Sequence, residues 1–254
     1  LDKLLSVTSL TKYIIFSMGC VGALFLMKDF GTALIFFFTF ILIAFMRSGN
    51  IRTIVLICAV ALMGAMLVIY FKPYVANRFA AYRHVWDYMD TTGYQQARVL
   101  IYTASGGLFG LGEGKLRDIY AASTDLIFGL ICEEMGLIIG IAVLLSFAGI
   151  ALFAIKSAKS SASTFYAIAA VSAAGMLLFQ LSLNVFGITD LLPLTGVTLP
   201  FVSRGGSSML CSWGLLAYIR AAGAPFSPPK PDIAVKKSPP RKVNPPTVRG
   251  GGAK

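Results

Sequence analysis

Six apolar stretches, at roughly residues 13–27, 30–46, 53–71, 137–155, 164–188 and 205–219, constrain this 254-residue chain more than any other feature. A helix rises 1.5 Å per residue, so a stretch such as 137–155 covers about 28 Å, the thickness of a bilayer's hydrocarbon core. The expected fold is an all-α polytopic membrane protein with about six transmembrane helices. The first and last stretches are short for a span, and Lys12, Lys28, Arg204 and Arg220 at their ends can snorkel to the interfaces. Composition agrees: only 13% of residues are charged, against about 25% in soluble domains.

Basic residues set the direction of the spans. Arg47 with Arg52, Lys156 with Lys159, and the tail from Lys230 to Lys254 all fall on one side if the chain alternates, and Lys3 and Lys12 join them. The positive-inside rule puts that side in the cytoplasm. Both termini are then cytoplasmic. The outer side receives the Lys28-Asp29 turn, a long polar loop at 72–124 and the connection 189–204.

The net charge of +11 does not point to nucleic acid. Seven of the 22 basic residues lie beyond Arg220, and residues 225–254 hold eight of the eleven prolines. Such a segment cannot bury enough surface to fold alone. It is expected to be a disordered basic tail (223–254) beside anionic membrane lipids, following a membrane domain at 1–222. Cys20, Cys58, Cys132 and Cys211 form no CxxC pair and read as packing residues, and His84 is the single histidine. A zinc site of ordinary type is therefore not expected.

The acids locate the chemistry. Residues 87–134 hold seven of the eleven acidic side chains: Asp87, Asp90, Glu113, Asp118, Asp125, Glu133 and Glu134. Carboxylates near a bilayer usually face water, a partner charge or a reaction. Asp125 precedes the apolar run 126–132, which the following span does not need. That run can lie along the outer interface or dip in and return, holding Asp125 at a membrane–water boundary. Partial desolvation there would raise its basicity. A helix N-cap at Thr124-Asp125 is an equally good reading of the pattern. Gly106, Gly107, Gly110, Gly112 and Gly114 form neither a Walker loop nor a dinucleotide fingerprint, so no nucleotide is expected. Glu133-Glu134 can be water-solvated interfacial groups, and Arg204 a snorkelling anchor.

Three segments together decide between such readings. They are Asp29-Phe30-Gly31-Thr32-Ala33, then Thr124-Asp125-Leu126-Ile127-Phe128 with Glu133-Glu134-Met135-Gly136, and the run from Leu192-Pro193-Leu194-Thr195-Gly196 through Val197-Thr198-Leu199-Pro200-Phe201-Val202-Ser203 to Gly205-Gly206-Ser207-Ser208. In this order, with Gly93-Tyr94-Gln95 in the long loop, they closely resemble the SEDS family (shape, elongation, division and sporulation), the FtsW, RodA and SpoVE proteins. The resemblance extends to about residue 222, and Thr198-Leu199-Pro200-Phe201 leans to the FtsW/SpoVE branch. Family members have ten spans, and the six here match the last six. Four preceding spans are thus expected outside this sequence, in keeping with a chain that does not start with Met.

The resemblance implies a glycosyltransferase of the bacterial cytoplasmic (inner) membrane that polymerises peptidoglycan glycan strands from lipid II in division, elongation or sporulation. It would work beside a class B penicillin-binding protein, with Asp125 as the essential aspartate. The expected substrate-binding residues are Gln95, Arg98, Lys115, Arg117, Glu133, Glu134, Ser203 and Arg204. Arg98, Lys115 or Arg117, together with a divalent cation (magnesium or manganese), would balance the leaving diphosphate. Where the family usually has Pro-Glu-Ala-His before Thr-Asp, this chain has Ala121-Ala122-Ser123, and Arg204 replaces an aromatic. A lipid II flippase and a non-enzymatic division scaffold are the alternatives. The first predicts charged groups midway through the spans, where few are found.

Overall fold

The structure, a computed structural model, describes residues 29–49, 82–91 and 93–224, with isolated positions between 15 and 59. Six α-helices follow one another: α1 (Phe30–Ser48), α2 (Tyr94–Ser105), α3 (Ile127–Met135), α4 (Leu137–Ser160), α5 (Thr164–Ile188) and α6 (Gly206–Ala222). Short 3-10 turns occupy Val85–Tyr88 and Leu116–Asp118, and no strand occurs among the described residues.

Local chemistry sets where the long helices begin and end. The Asp29 carboxylate accepts from the Thr32 amide at 3.0 Å and caps α1, while Arg47 in its last turn complements the helix dipole. Ser163 caps α5 through the Phe165 amide. Helices α1, α4 and α5 are long and apolar enough to cross a membrane, with mean hydropathies of 2.1, 2.7 and 1.7. They match three of the expected spans. The expected spans at 13–27 and 53–71 lie outside the continuously described residues. The last, at 205–219, is α6, whose 17 residues reach about 26 Å.

Helix α5 is the hub: it packs on α1, α4 and α6, and touches α2 and α3. Small residues make this possible. Ala170, Ala173 and Ala174 are buried along it, and a Cβ on Gly175 would run into Leu42 of α1. Phe38 and Phe179 stack across the same seam with centroids 4.0 Å apart. By contrast, α4 turns Ile138, Ile141, Leu145 and Leu152 outward. An apolar face of that kind belongs against lipid.

The segment expected as one long polar loop (72–124) carries regular structure within its described part. It contains α2, a twelve-residue helix that buries Gln96, Ala97 and Val99 and packs on α3. Its polar content hid it, because only a narrow stripe is apolar. The run after Asp125 is packed into the protein: Leu126, Phe128, Leu130 and Cys132 join the main core with Phe147, Leu177, Leu199 and Ile219. At Gly136 (φ 87°) the chain turns from α3 into α4, and a Cβ there would strike the backbone of Leu108 and Gly110. The glycine-rich segment is strung along this corner. The amides of Leu111 and Gly112 donate to the carbonyls of Glu133 and Glu134, both at 2.9 Å. Gly106 and Gly110 serve close backbone packing, since a Cβ on either would strike the backbone of Cys132 or Glu134.

Candidate active site

Asp125 lies in a tight turn that precedes α3. The amides of Thr124, Asp125 and Leu126 all point at the Ala121 carbonyl, at 3.1, 3.0 and 3.2 Å, and Ala121 itself has a positive φ of 65°. Helix α3 starts at Ile127 with Leu126 in the N-cap position, so Asp125 stands one residue ahead of the cap. It is half-buried, close to the positive end of that helix.

The segment 195–204 is clamped onto this turn. Ser203 Oγ donates to the Thr124 carbonyl at 2.6 Å and accepts from the Leu199 amide at 2.7 Å. The Arg204 amide donates to the Ser123 carbonyl at 2.9 Å. From α5, the Asn184 amide group donates both to the Asp125 carbonyl (2.8 Å) and to the Val197 carbonyl (2.7 Å). One turn earlier, Gln180 donates to the Thr198 carbonyl at 3.0 Å. Gly196, at φ 73°, lies so close that a Cβ would stand 3.4 Å from Asp125 Oδ2. On the far side of the segment, a Cβ at Gly31 would collide with Val197 and lie 3.1 Å from the Thr195 carbonyl. The three sequence blocks, 29–33, 124–136 and 192–208, thus meet in space around Asp125.

The other expected site residues are placed less uniformly. Ser203 contributes through the backbone of Thr124, and its side chain is buried. The Arg204 side chain is exposed beside the same turn. Gln95 reaches the Tyr120 carbonyl at 3.4 Å, and Arg98 sits 5.4 Å from the Tyr94 ring centre. Arg117 pairs with Glu134 at 2.8 Å, with the Arg117 side chain 64% exposed. Lys115 is exposed. Glu133 departs from the expectation of a water-solvated, substrate-facing group. It is 1% exposed, and its two oxygens accept from the Lys115 and Leu116 amides at 2.9 Å each. A carboxylate so enclosed holds the 3-10 turn against α3 instead of meeting a ligand. At the same end of the bundle, burial raises the Asp190 carboxyl above its ordinary range, opposed by a backbone hydrogen bond and the charge of Arg83.

Asn184, Gln180 and Gln96 were not anticipated. Gln96 is buried and donates to the Gly187 carbonyl. Gln180 and Asn184 carried a signal: an amide inside an otherwise apolar 25-residue helix needs a partner, and here the partner is loop backbone. Among the described residues no three His, Cys, Asp or Glu side chains gather as a metal site.

This architecture, a helical membrane bundle with a carboxylate turn clamped at one end, is that of a known class. The family model described as "Cell cycle protein" (FtsW/RodA/SpoVE) matches residues 3–223, and the chain belongs to that family. It is 31% identical over 226 residues to Stage V sporulation protein E of Bacillus subtilis (strain 168), covering 85% of this chain and 62% of the relative. It is 31% identical over 201 residues to the peptidoglycan glycosyltransferase RodA of Mycobacterium tuberculosis (strain ATCC 25618 / H37Rv), covering 78% and 43%. Identity to the probable peptidoglycan glycosyltransferase FtsW of Buchnera aphidicola subsp. Acyrthosiphon pisum (strain APS) is 34% over 189 residues, covering 72% and 47%. A solved chain described under "Structural coordination of polymerization and crosslinking by a peptidoglycan synthase complex" superposes with a TM-score of 0.67 at 26% identity, covering 84% of this chain and 62% of that one. The chain thus spans 43% to 62% of the lengths of these relatives.

Proposed function

We propose that this chain carries the base-bearing part of a peptidoglycan glycan-strand polymerase that uses lipid II. The observation that supports it is the convergence of the three sequence blocks on Asp125, in a family whose curated members include peptidoglycan glycosyltransferases. In the proposed reaction the 4-hydroxyl of a lipid II sugar attacks the anomeric carbon of the growing strand. A new glycosidic C–O bond forms, the bond to the lipid diphosphate breaks, and the diphosphate leaves with its electrons. Asp125 takes the hydroxyl proton. The clamped turn holds the carboxylate in place, so little reorganisation is needed when the proton moves.

Arg204, exposed beside the Asp125 turn, and the loop cations Arg98, Lys115 and Arg117 are the groups proposed to meet the diphosphate. A class B penicillin-binding protein that crosslinks the product is the proposed partner. Identity is similar to SpoVE, RodA and FtsW relatives, so the branch rests on Thr198-Leu199-Pro200-Phe201 alone. Transport of lipid II is disfavoured by the span-length helices. Their charged residues, Arg47, Lys156 and Lys159, all lie near one end, and α5 has none.

The test is polymerisation of purified lipid II by the full-length protein with Asp125→Asn. Loss of a general base costs about 100- to 10,000-fold. A polymer yield within a few-fold of wild type, at equal membrane abundance, would reject the role.

A further inference from the structure

At the end of the bundle opposite Asp125, the last turns of α4 and α6 flank an open cavity of about 520 Å³, with Lys156 and Arg220 both exposed at it. Lys156 reaches it from α4 and Arg220 from α6, with Phe153, Ser157 and Ser160 along the wall. The two helix ends close its base tightly. A Cβ on Gly223 would lie 2.8 Å from the Ser157 Cα, Ser157 is 5% exposed, and Ser160 Oγ reaches the Gly223 carbonyl at 3.3 Å. The cavity is thus a consequence of helix packing.

Among the described residues its two cations have no counter-charge. The described acids are Asp29, Asp87, Asp90, Glu113, Asp118, Asp125, Glu133, Glu134 and Asp190. Chain direction places every one of them at the Asp125 end. Asp29 and Glu134 lie just ahead of or at the start of helices that run toward the cavity, and Asp190 follows a helix that runs away from it. Among the described residues the ion pair is Arg117–Glu134, and it too lies at the Asp125 end. Attraction of cations to helix C-termini and snorkelling explain why each basic residue sits near its helix end. They do not explain two cations converging on one open cavity, where each raises the energy of the other.

We propose that this cavity binds the phosphate of an anionic lipid headgroup. Lys156 supplies a compact ammonium and Arg220 a planar fork of N–H donors, a pair suited to phosphate oxygens. Phe153 and Ala217 in the wall supply the apolar surface that the glycerol and upper acyl chain require. Basic pockets between spans are where acidic lipid headgroups are held in membrane proteins. An amphiphile fits this lining better than a free anion does, because the cations share the cavity with apolar side chains. The site is independent of the chemistry at Asp125.

The test is native mass spectrometry of the full chain released from nanodiscs that hold phosphatidylglycerol and phosphatidylcholine in equal amounts. Wild type should retain phosphatidylglycerol preferentially, and K156Q/R220Q should lower that retention about tenfold, the weakening expected when charged hydrogen-bond donors are lost. K159Q, at an exposed residue that does not line the cavity, should retain it as wild type does. Retention by wild type should also fall as salt rises. This arm needs no variant, so a misfolded double variant leaves the proposal testable. Equal retention of the two lipids, retention unchanged in a folded K156Q/R220Q, or retention indifferent to salt would overturn it. Displacement of the lipid by an equal concentration of inorganic phosphate would make the ligand a soluble phosphate and overturn the lipid assignment.

Discussion

The side-chain amide of Asn184 donates to the Asp125 carbonyl at 2.8 Å and to the Val197 carbonyl at 2.7 Å, so one buried residue of α5 holds both halves of the site. Asn184 is 2% exposed, and truncating it to Ala removes one donor from each of these two carbonyls. Each such loss costs about 1–3 kcal/mol. Asn184→Ala is expected to lower the apparent melting temperature in detergent by several degrees and to reduce lipid II polymerisation more than abundance. Unchanged melting and activity would mean that the clamp does not depend on this residue.

Gly196 tests how closely the segment 195–204 must approach the carboxylate. Its φ of 73° is unfavourable for any side chain, and a Cβ would stand 3.4 Å from Asp125 Oδ2. Gly196→Ala should cost about 1 kcal/mol or more of stability from backbone strain. Its larger effect should be on turnover, because the new methyl crowds the space where a substrate hydroxyl must reach the base. The measurement is polymerisation rate against lipid II concentration for folded protein. A variant with wild-type turnover would show that substrate reaches Asp125 from another side.

Glu133 separates a structural carboxylate from a catalytic one. Both of its oxygens are taken by the amides of Lys115 and Leu116. Hydrogen bonds to a charged group are worth about 1.5–3 kcal/mol each. Glu133→Ala should therefore reduce folded protein in the membrane and speed amide hydrogen exchange at 115–116. Whatever variant folds should keep activity per molecule. Normal abundance with lost activity would return Glu133 to the substrate-facing set.

The four cations at the Asp125 end, Arg98, Lys115, Arg117 and Arg204, are expected to rank unequally. The Arg117–Glu134 pair is largely exposed on the arginine side, and such pairs contribute about 0–1 kcal/mol. Arg117→Gln should change polymerisation little. Arg204 differs, because its backbone is bonded to Ser123, two residues before Asp125, while its side chain is free to reach a ligand. Arg204→Gln should lower turnover more than Arg98→Gln, Lys115→Gln or Arg117→Gln, since a cation aimed at a leaving diphosphate matters most as charge develops. Four silent variants would move diphosphate recognition to other residues.

Orientation is measurable without any enzyme assay. Glu113 and Lys159 are both exposed, at opposite ends of the bundle. A membrane-impermeant thiol reagent added to intact cells, after the native cysteines are replaced, should label Glu113→Cys and spare Lys159→Cys. This follows from basic residues being kept inside. The reverse pattern would place Asp125 in the cytoplasm and end the polymerase reading.

The sequence by itself determined α1, α4 and α5, because the cost of exposing a long apolar run to water is local and no partner can reverse it. It determined the Asp29 cap for the same reason: the carboxylate and the Thr32 amide that it satisfies lie three residues apart. It also singled out Asp125 and the run 192–208, through the resemblance of three separated blocks. Only the tertiary structure decided how those blocks meet, since the bonds Asn184–Asp125, Ser203–Thr124 and Arg204–Ser123 join residues 59 to 81 positions apart. No local pattern encodes such pairings. The same holds for α2, whose apolar stripe has meaning only against α3, and for Glu133, whose charge suggested water until packing enclosed it with two backbone amides. Hydrophobic length is a property of a segment, whereas the burial of a polar group is a property of everything packed around it.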